Sequence, residues 1–170
     1  GIQLERNSDD PELELIYDLT SEELIRKLEN LNSSTIVFLT VFSRDKKGEF
    51  FEYDQGVELI TLASSVPVYG TWDFQLNHGI VGGYLVDGYN QGVVAAKKVL
   101  EILAGVDVNN IPVEYETPYL LQFDFNQLHK YKIDNNQLPP NGRIINEPIS
   151  FYSLYRYIYL IQIPYSYKNI

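Results

Sequence analysis

Five side chains in the first half of the chain have the chemistry to hold a small polar molecule: Phe42, Arg44, Trp72, Asp73 and His78. An arginine can hold a carboxylate through two parallel hydrogen bonds. An aspartate can accept hydrogen bonds from an ammonium or from hydroxyl groups. The two aromatic rings could stack on a ring or on an apolar part of a ligand. Together these residue types predict a site for a small zwitterion or another small polar organic molecule.

Each of these residues also has an ordinary structural role. Trp72 could serve as a core or hinge residue, and Arg44, which stands beside Asp45, has the pattern of a solvated surface charge. Asp73 could cap a turn. His78 is better placed than the second histidine, yet a single histidine is usually a structural residue with its hydrogen bonds satisfied. The sequence leaves both interpretations open for each position.

Loops that follow predicted strands must position these side chains. Apolar runs predict strands at Thr35–Phe42, Pro67–Gly70 and Gly79–Val86, and the β-branched first run predicts a strand covered on both faces. Helical spacing predicts helices over about Asp54–Ser64 and Tyr89–Leu103. Alternating strands and helices indicate βαβ units and a parallel sheet. The pattern therefore predicts an α/β three-layer sandwich with a mainly parallel sheet, in which ligands bind beyond the carboxyl ends of the strands.

Further elements flank this region. Thr20 with Glu23 has the spacing of a capping box and predicts a helix to about Leu31. Gly82-Gly83 indicates close packing or the approach of a ligand, and Asp87-Gly88 indicates a helix start or an anion site. The remaining predicted elements are a strand over Leu13–Tyr17, a strand over Tyr119–Phe123, a helix over Phe125–Tyr131 capped by Asp124, and a strand over Arg143–Ile145.

Composition narrows the classes of partner. The formal net charge is -10, and the cations Arg44, Lys46 and Lys47 stand next to Asp45 and Glu49, so no basic stripe favours nucleic acid. The chain has no cysteine, which excludes disulfides and thiol nucleophiles. No run of apolar residues is long enough to span a bilayer.

Enzyme classes receive little support from the motifs. The sequence has no Gly-x-Ser-x-Gly elbow, no P-loop and no His-Glu-x-x-His, and its two histidines are His78 and His129. We therefore expect no enzyme activity, no cofactor and no metal site. A phosphate-receiver domain would share the topology. It would need an acidic pair after its first strand, an aspartate at the end of a central strand and a later lysine, and Asp18 and Asp45 do not match that set.

Several motifs also carry a resemblance to a known family. The chain resembles the C-terminal half of the ABC-transporter substrate-binding-protein family, with the type I periplasmic-binding fold. The variety it most resembles serves as the extracytoplasmic sensor of bacterial and archaeal signalling proteins. The resemblance runs from about Leu13 to about Tyr155, and the matching motifs are Pro67–Phe74, His78–Gly83, Gly88–Gly92, Phe123–Leu128 and Ile145–Pro148.

The resemblance implies a function for the candidate residues. The family's ligand lies in a cleft between two lobes, so Phe42, Arg44, Trp72 and Asp73 would form one wall of that cleft. The expected function is a non-enzymatic sensor of a small molecule outside the cytoplasmic membrane. It would be the input to a histidine kinase or to a cyclic-nucleotide-synthesising module. The alternatives are a soluble solute-binding component of an ABC transporter and an intracellular, receiver-like signalling or interaction domain.

The resemblance covers only the later part of the family's chain. It implies a ligand-binding lobe over residues 1–120, a crossover segment over 121–147 that returns toward a missing lobe, and an aromatic helix or tail over 148–170. A shortened chain, a natural one-lobed variant or an assembly that lends the missing surface would each explain this. The tyrosine-rich tail favours an interface or an approach to a membrane anchor. An incomplete sheet exposes an edge, so we expect a homodimer. Half of a cleft excludes little water, so we expect ligand affinity to be weak or absent.

Overall fold

A five-stranded sheet organises the protein. The structure is a computed structural model, and it describes residues 11–115 and 119–149. The elements in chain order are α1 (Ser21–Glu29), β1 (Val37–Leu39), α2 (Tyr53–Ala63), β2 (Val68–Gly70), β3 (Gly82–Val86), α3 (Gly88–Leu103), β4 (Tyr119–Asp124), α4 (Phe125–Lys130) and β5 (Arg143–Ile145). Three single-turn 3-10 helices lie at Asp73–Gln75, Val108–Asn110 and Asn135–Gln137.

The strands lie side by side in sequence order. β1, β2 and β3 are parallel, β4 is antiparallel to β3, and β5 is parallel to β4. The carboxyl ends of β1 to β3 therefore meet at one edge of the sheet, which we call the carboxyl edge. The predicted α/β class with a mainly parallel sheet is confirmed.

Helices pack on both faces of the sheet. α1 and α2 pack on one face, and the buried side chains of that core are Leu24, Leu28, Leu39, Val57, Ile60, Val68, Leu76, Ile80 and Leu85. The second face has a smaller core of Val81, Phe123 and Leu128, where α4 packs on β4. This arrangement is consistent with three layers.

The helix-capping hydrogen bonds that the sequence predicted are present in the structure. The hydroxyl of Thr20 accepts a hydrogen bond from the Glu23 amide at 3.2 Å, and the Glu23 carboxylate accepts one from the Thr20 amide at 2.9 Å. Asp124 caps α4 by accepting a hydrogen bond from the Asn126 amide at 2.8 Å. These contacts satisfy amides that the helix itself leaves free, so both helices begin where the sequence indicates.

Two strand predictions were wrong. Leu13–Tyr17 is exposed and forms no strand; Glu14 instead forms an ion pair with Lys27 of α1. The run at Thr35–Phe42 shortens to the three residues of β1, at the edge of the sheet, and Phe38 is 66% exposed. Strand length depends on a neighbouring strand to pair with and a layer to cover it, and within the described residues β1 has a neighbour on one side only.

The predicted domain limits relate to the fold as follows. The boundary at residue 120 falls inside β4. Residues 121–147 contribute most of β4 and all of β5 to the same sheet, with α4 between the two strands. A return of this segment toward a second lobe stays a prediction. Most of the tail over 148–170 lies outside the described residues. Among the helices of residues 11–115 and 119–149, none combines the length and apolar character needed to span a membrane.

Candidate functional site

The loops at the carboxyl edge are joined by hydrogen bonds. The hydroxyl of Thr71, just after β2, donates to the Thr40 carbonyl after β1 at 3.3 Å. The Val86 amide at the end of β3 donates to the Thr71 carbonyl at 2.7 Å. The start of the loop after β2 is therefore in direct contact with the residue that follows β1 and with the end of β3.

A buried glutamine fixes the loop that carries Trp72. Gln75 is fully buried, and its side-chain oxygen accepts hydrogen bonds from the amides of Thr71 at 2.8 Å and Trp72 at 3.0 Å. Its side-chain nitrogen donates to the Thr40 carbonyl at 2.8 Å. Sequence reasoning missed this residue, because glutamine is usually exposed and no motif marks it.

Aromatic rings gather beside this loop. The ring centroids of Trp72 and Phe74 are stacked at 5.9 Å, and those of Phe74 and Tyr53 lie 5.3 Å apart. Tyr53 is the first residue of α2. Tyr53 and Phe74 are exposed, whereas Trp72 is half-buried. We call these three residues the aromatic cluster; of them the sequence analysis had singled out only Trp72, although Phe74 stands two residues away.

Asp73 stands between Trp72 and Phe74 in the chain and is the first residue of the 3-10 turn Asp73–Gln75. One carboxylate oxygen accepts a hydrogen bond from the Phe74 amide at 2.9 Å. Within the described residues the structure gives the second oxygen no donor, and the side chain is half-buried. Asp73 therefore lies in a turn without being its cap residue, and one oxygen is left to accept a hydrogen bond from a ligand.

Phe42 lies against the first turn of α2, and Arg44 lies in the loop that follows β1. The Phe42 ring centroid is 5.4 Å from that of Phe51. A Cβ at Gly56 would lie 2.0 Å from the Phe42 carbonyl oxygen, so this close approach requires glycine. Arg44 donates to the Gly48 carbonyl at 3.1 Å within its own loop. The structure thus brings Phe42 and the aromatic cluster to neighbouring positions around α2.

A cleft of about 380 Å³ lies beside Phe42 and Arg44. Asp45 lines it as well, accepting hydrogen bonds from the amides of Ser21 at 3.1 Å and Glu49 at 2.9 Å. Burial acts to raise the pKa of the Asp45 carboxyl, but these amide donors outweigh burial and hold the pKa below its ordinary value. Asp45 therefore anchors the loop to α1, and Arg44 and Lys46 supply exposed cations to the cleft, with Lys46 already 3.3 Å from the Asp18 carboxylate.

His78 lies apart from the aromatic cluster. Its Nδ1 is 2.9 Å from a carboxylate oxygen of Glu58, and its carbonyl accepts a hydrogen bond from the Thr61 hydroxyl at 2.6 Å. Glu58 and Thr61 lie about 8 and 12 Å along α2 from Tyr53, from the rise per residue. The contacts favour the structural role for His78.

Asp87 and Tyr89 follow β3 at the same edge. Asp87 is buried and accepts a hydrogen bond from the Tyr89 amide at 2.9 Å, which caps α3. The carboxylate occupies the helix N-terminus, so this edge is not an open anion site. A second and wider cleft of about 610 Å³ lies beside α4 and contains none of the predicted residues.

Comparisons of the chain with family models, with curated proteins and with solved structures each found no match. The resemblance to ABC-transporter substrate-binding proteins therefore stays a prediction. Within residues 11–115 and 119–149, no group of three or more histidine or carboxylate side chains is placed to hold a metal ion.

Proposed function

We propose that this protein is a small-molecule-binding sensor domain whose ligand contacts the carboxyl edge of the sheet. The observation that carries the proposal is the aromatic cluster, with its exposed rings held beside Asp73 at the end of parallel strands. Ligands of open α/β sheets bind at this edge. An apolar surface with a few fixed polar groups is the usual composition of such a site.

The chemistry of the edge selects a ligand class. The aromatic cluster would cover an apolar or ring-shaped part of the ligand, and Asp73 would accept hydrogen bonds from an ammonium or from hydroxyl groups. Arg44, in the loop after β1, could hold a carboxylate. A small zwitterion or a polar ring compound fits these groups best.

Signal transfer would follow from a shift between two conformations. A ligand that binds the closed arrangement of two lobes more tightly than the open one stabilises the closed state. We propose that this domain supplies one wall and that the output is carried by a membrane-bound signalling protein. The resemblance of the sequence motifs supports this part of the proposal, and a soluble transporter component would use the same site.

Tryptophan fluorescence and thermal melting test the proposal on the full chain. Trp72 is the single tryptophan, so its emission reports on the aromatic cluster. The screen covers amino acids, sugars, nucleosides and small organic acids. We expect one class to shift both the emission and the melting temperature.

A matched pair of variants makes the test specific to the site. Asp73→Asn keeps an oxygen for the Phe74 amide but removes the charge, and should weaken binding by about tenfold, the loss of one charged hydrogen bond. Asp107 also accepts a hydrogen bond from a nearby backbone amide, that of Asn109 at 2.8 Å, and caps a 3-10 turn away from the aromatic cluster. Asp107→Asn should leave binding unchanged; equal losses in both variants would contradict the assigned role of Asp73.

A further inference from the structure

α3 and the segment after it form an arm that leaves the sheet and returns to the same edge. The chain departs after β3 and comes back at Tyr119, which pairs with Val86. Lys98 donates to the Pro112 carbonyl at 2.8 Å and lies 3.8 Å from Glu114, which ties the returning segment to the helix. We call residues 88–115 the helical arm.

The far end of the helical arm is exposed in the described part of the chain, whereas its first two turns are half-buried in places. α3 has no buried residue, and a Cβ added at Gly92 would meet no atom within 4 Å. The arm nevertheless carries apolar side chains, with Leu100 65% and Leu103 77% exposed. A helix of this length is marginal in water unless an apolar face is covered. The apolar residues exposed at its far end are Val99, Leu100, Ile102, Leu103, Val106 and Val108.

The sheet exposes a complementary aromatic surface. Phe38 pairs with Tyr69 and Tyr69 with Gly82, so Tyr84, two residues on, points to the same face as Phe38. Tyr84 and Tyr119 lie edge to face at 4.9 Å. Phe38, Tyr84 and Tyr119 are 66%, 59% and 59% exposed. We call these three residues the bare face; α4 covers only the other end of this side of the sheet, near Phe123.

We propose that the helical arm of one copy packs on the bare face of a second copy, and reciprocally, to form a twofold dimer. Each chain carries both halves of a helix-on-sheet contact, which is the requirement for a self-complementary interface. With about 150–200 Å² for each large apolar side chain, the exposed fractions give roughly 900 Å² per copy. The pair would bury up to about 1,800 Å², within the range of stable specific interfaces.

Sedimentation velocity of the full chain at increasing concentration tests the dimer. We expect the wild type to sediment with twice the mass of one chain. The double change Leu100→Asp and Leu103→Asp should raise the dissociation constant at least tenfold, since it places charges in an apolar contact. Leu62→Asp is the matched control, because Leu62 is 84% exposed on α2 and belongs to neither surface. A wild type that stays monomeric, or a dimer that withstands the double change, overturns the proposal.

Cross-linking identifies which surfaces meet. The chain has no cysteine, so introduced thiols are the only ones that react. Copies with Leu103→Cys mixed with copies with Tyr84→Cys should be joined by a short bismaleimide, whereas Leu62→Cys copies should not be joined to them. If the arm instead covers the sheet of its own chain, one chain that carries both Leu103→Cys and Tyr84→Cys is linked internally and the mixed copies are not. That result also overturns the proposal.

Discussion

Gln75 holds the candidate site together, and replacing it tests that role. Gln75→Leu keeps a similar volume but removes the three hydrogen bonds that join the ends of β1 and β2. The amides of Thr71 and Trp72 lose their acceptor, and the Thr40 carbonyl loses a donor. The change therefore separates the hydrogen bonds of this residue from its packing.

The loss of unfolding free energy depends on how far each of the three backbone groups is buried. A polar group left without a partner costs about 1–3 kcal/mol when buried and less when water can reach it. Thr71 and Trp72 are half-buried and Thr40 is exposed, so the low end applies. The total is about 3 kcal/mol of unfolding free energy. With a urea dependence near 2 kcal/mol per molar, the unfolding midpoint should fall by about 1.5 M.

Urea unfolding followed by Trp72 fluorescence measures both parts of the prediction. The midpoint gives the lost stability, and the emission of the folded variant shows whether the Trp72 loop has opened to water. Gln137→Leu is the control, since Gln137 is exposed in a 3-10 turn, and it should change stability by less than about 0.5 kcal/mol. A midpoint shift below about 0.5 M with unchanged emission would refute the role given to Gln75.

Four further changes test the fold. Gly82→Ala places a Cβ 2.1 Å from the Gln122 carbonyl at a φ of +139° and should cost several kcal/mol in unfolding free energy, whereas Gly92→Ala, in open space, should raise the helix content of α3 measured by circular dichroism. Thr20→Ala removes the cap of α1 and should lower the unfolding free energy by about 1 kcal/mol in urea. The lowered pKa of Asp45 stabilises the folded state at pH values above the unfolded pKa, and this stabilisation is lost as the pH falls through the folded pKa. Asp45→Asn should therefore reduce the dependence of the melting temperature on pH below about pH 4. An unchanged slope would contradict the pKa assignment.

Features encoded by nearby residues were predictable from the sequence. The capping box at Thr20, the cap at Asp124 and the helical spacing of α2 depend on contacts within a few residues. The mainly parallel sheet followed from the alternation of strands with helices, although β2 and β3 are joined through a 3-10 turn and not an α-helix. The carboxyl edge could therefore be located, together with Trp72 and Asp73.

Features that depend on distant parts of the chain could not be predicted. The role of Gln75 depends on its hydrogen bond to the Thr40 carbonyl, which stands 35 residues earlier in the chain. The length of β1 depends on a neighbouring strand and a covering layer, which the residues of the run do not specify. The contact of His78 with Glu58 likewise depends on how α2 lies against the loop, so the sequence grouped His78 with a cluster that it does not join.

Amide NMR spectra of the full ¹⁵N-labelled chain, recorded with each compound class, test the central claim most directly. The proposal predicts that at least one class shifts the amides of Thr71–Gln75 and of Tyr53, because these surround the aromatic cluster. Shifts confined to the cleft beside α4, around Phe125 and His129, would contradict the assigned site. The absence of any shift at Thr71–Gln75 with all four classes would contradict the ligand-binding function itself.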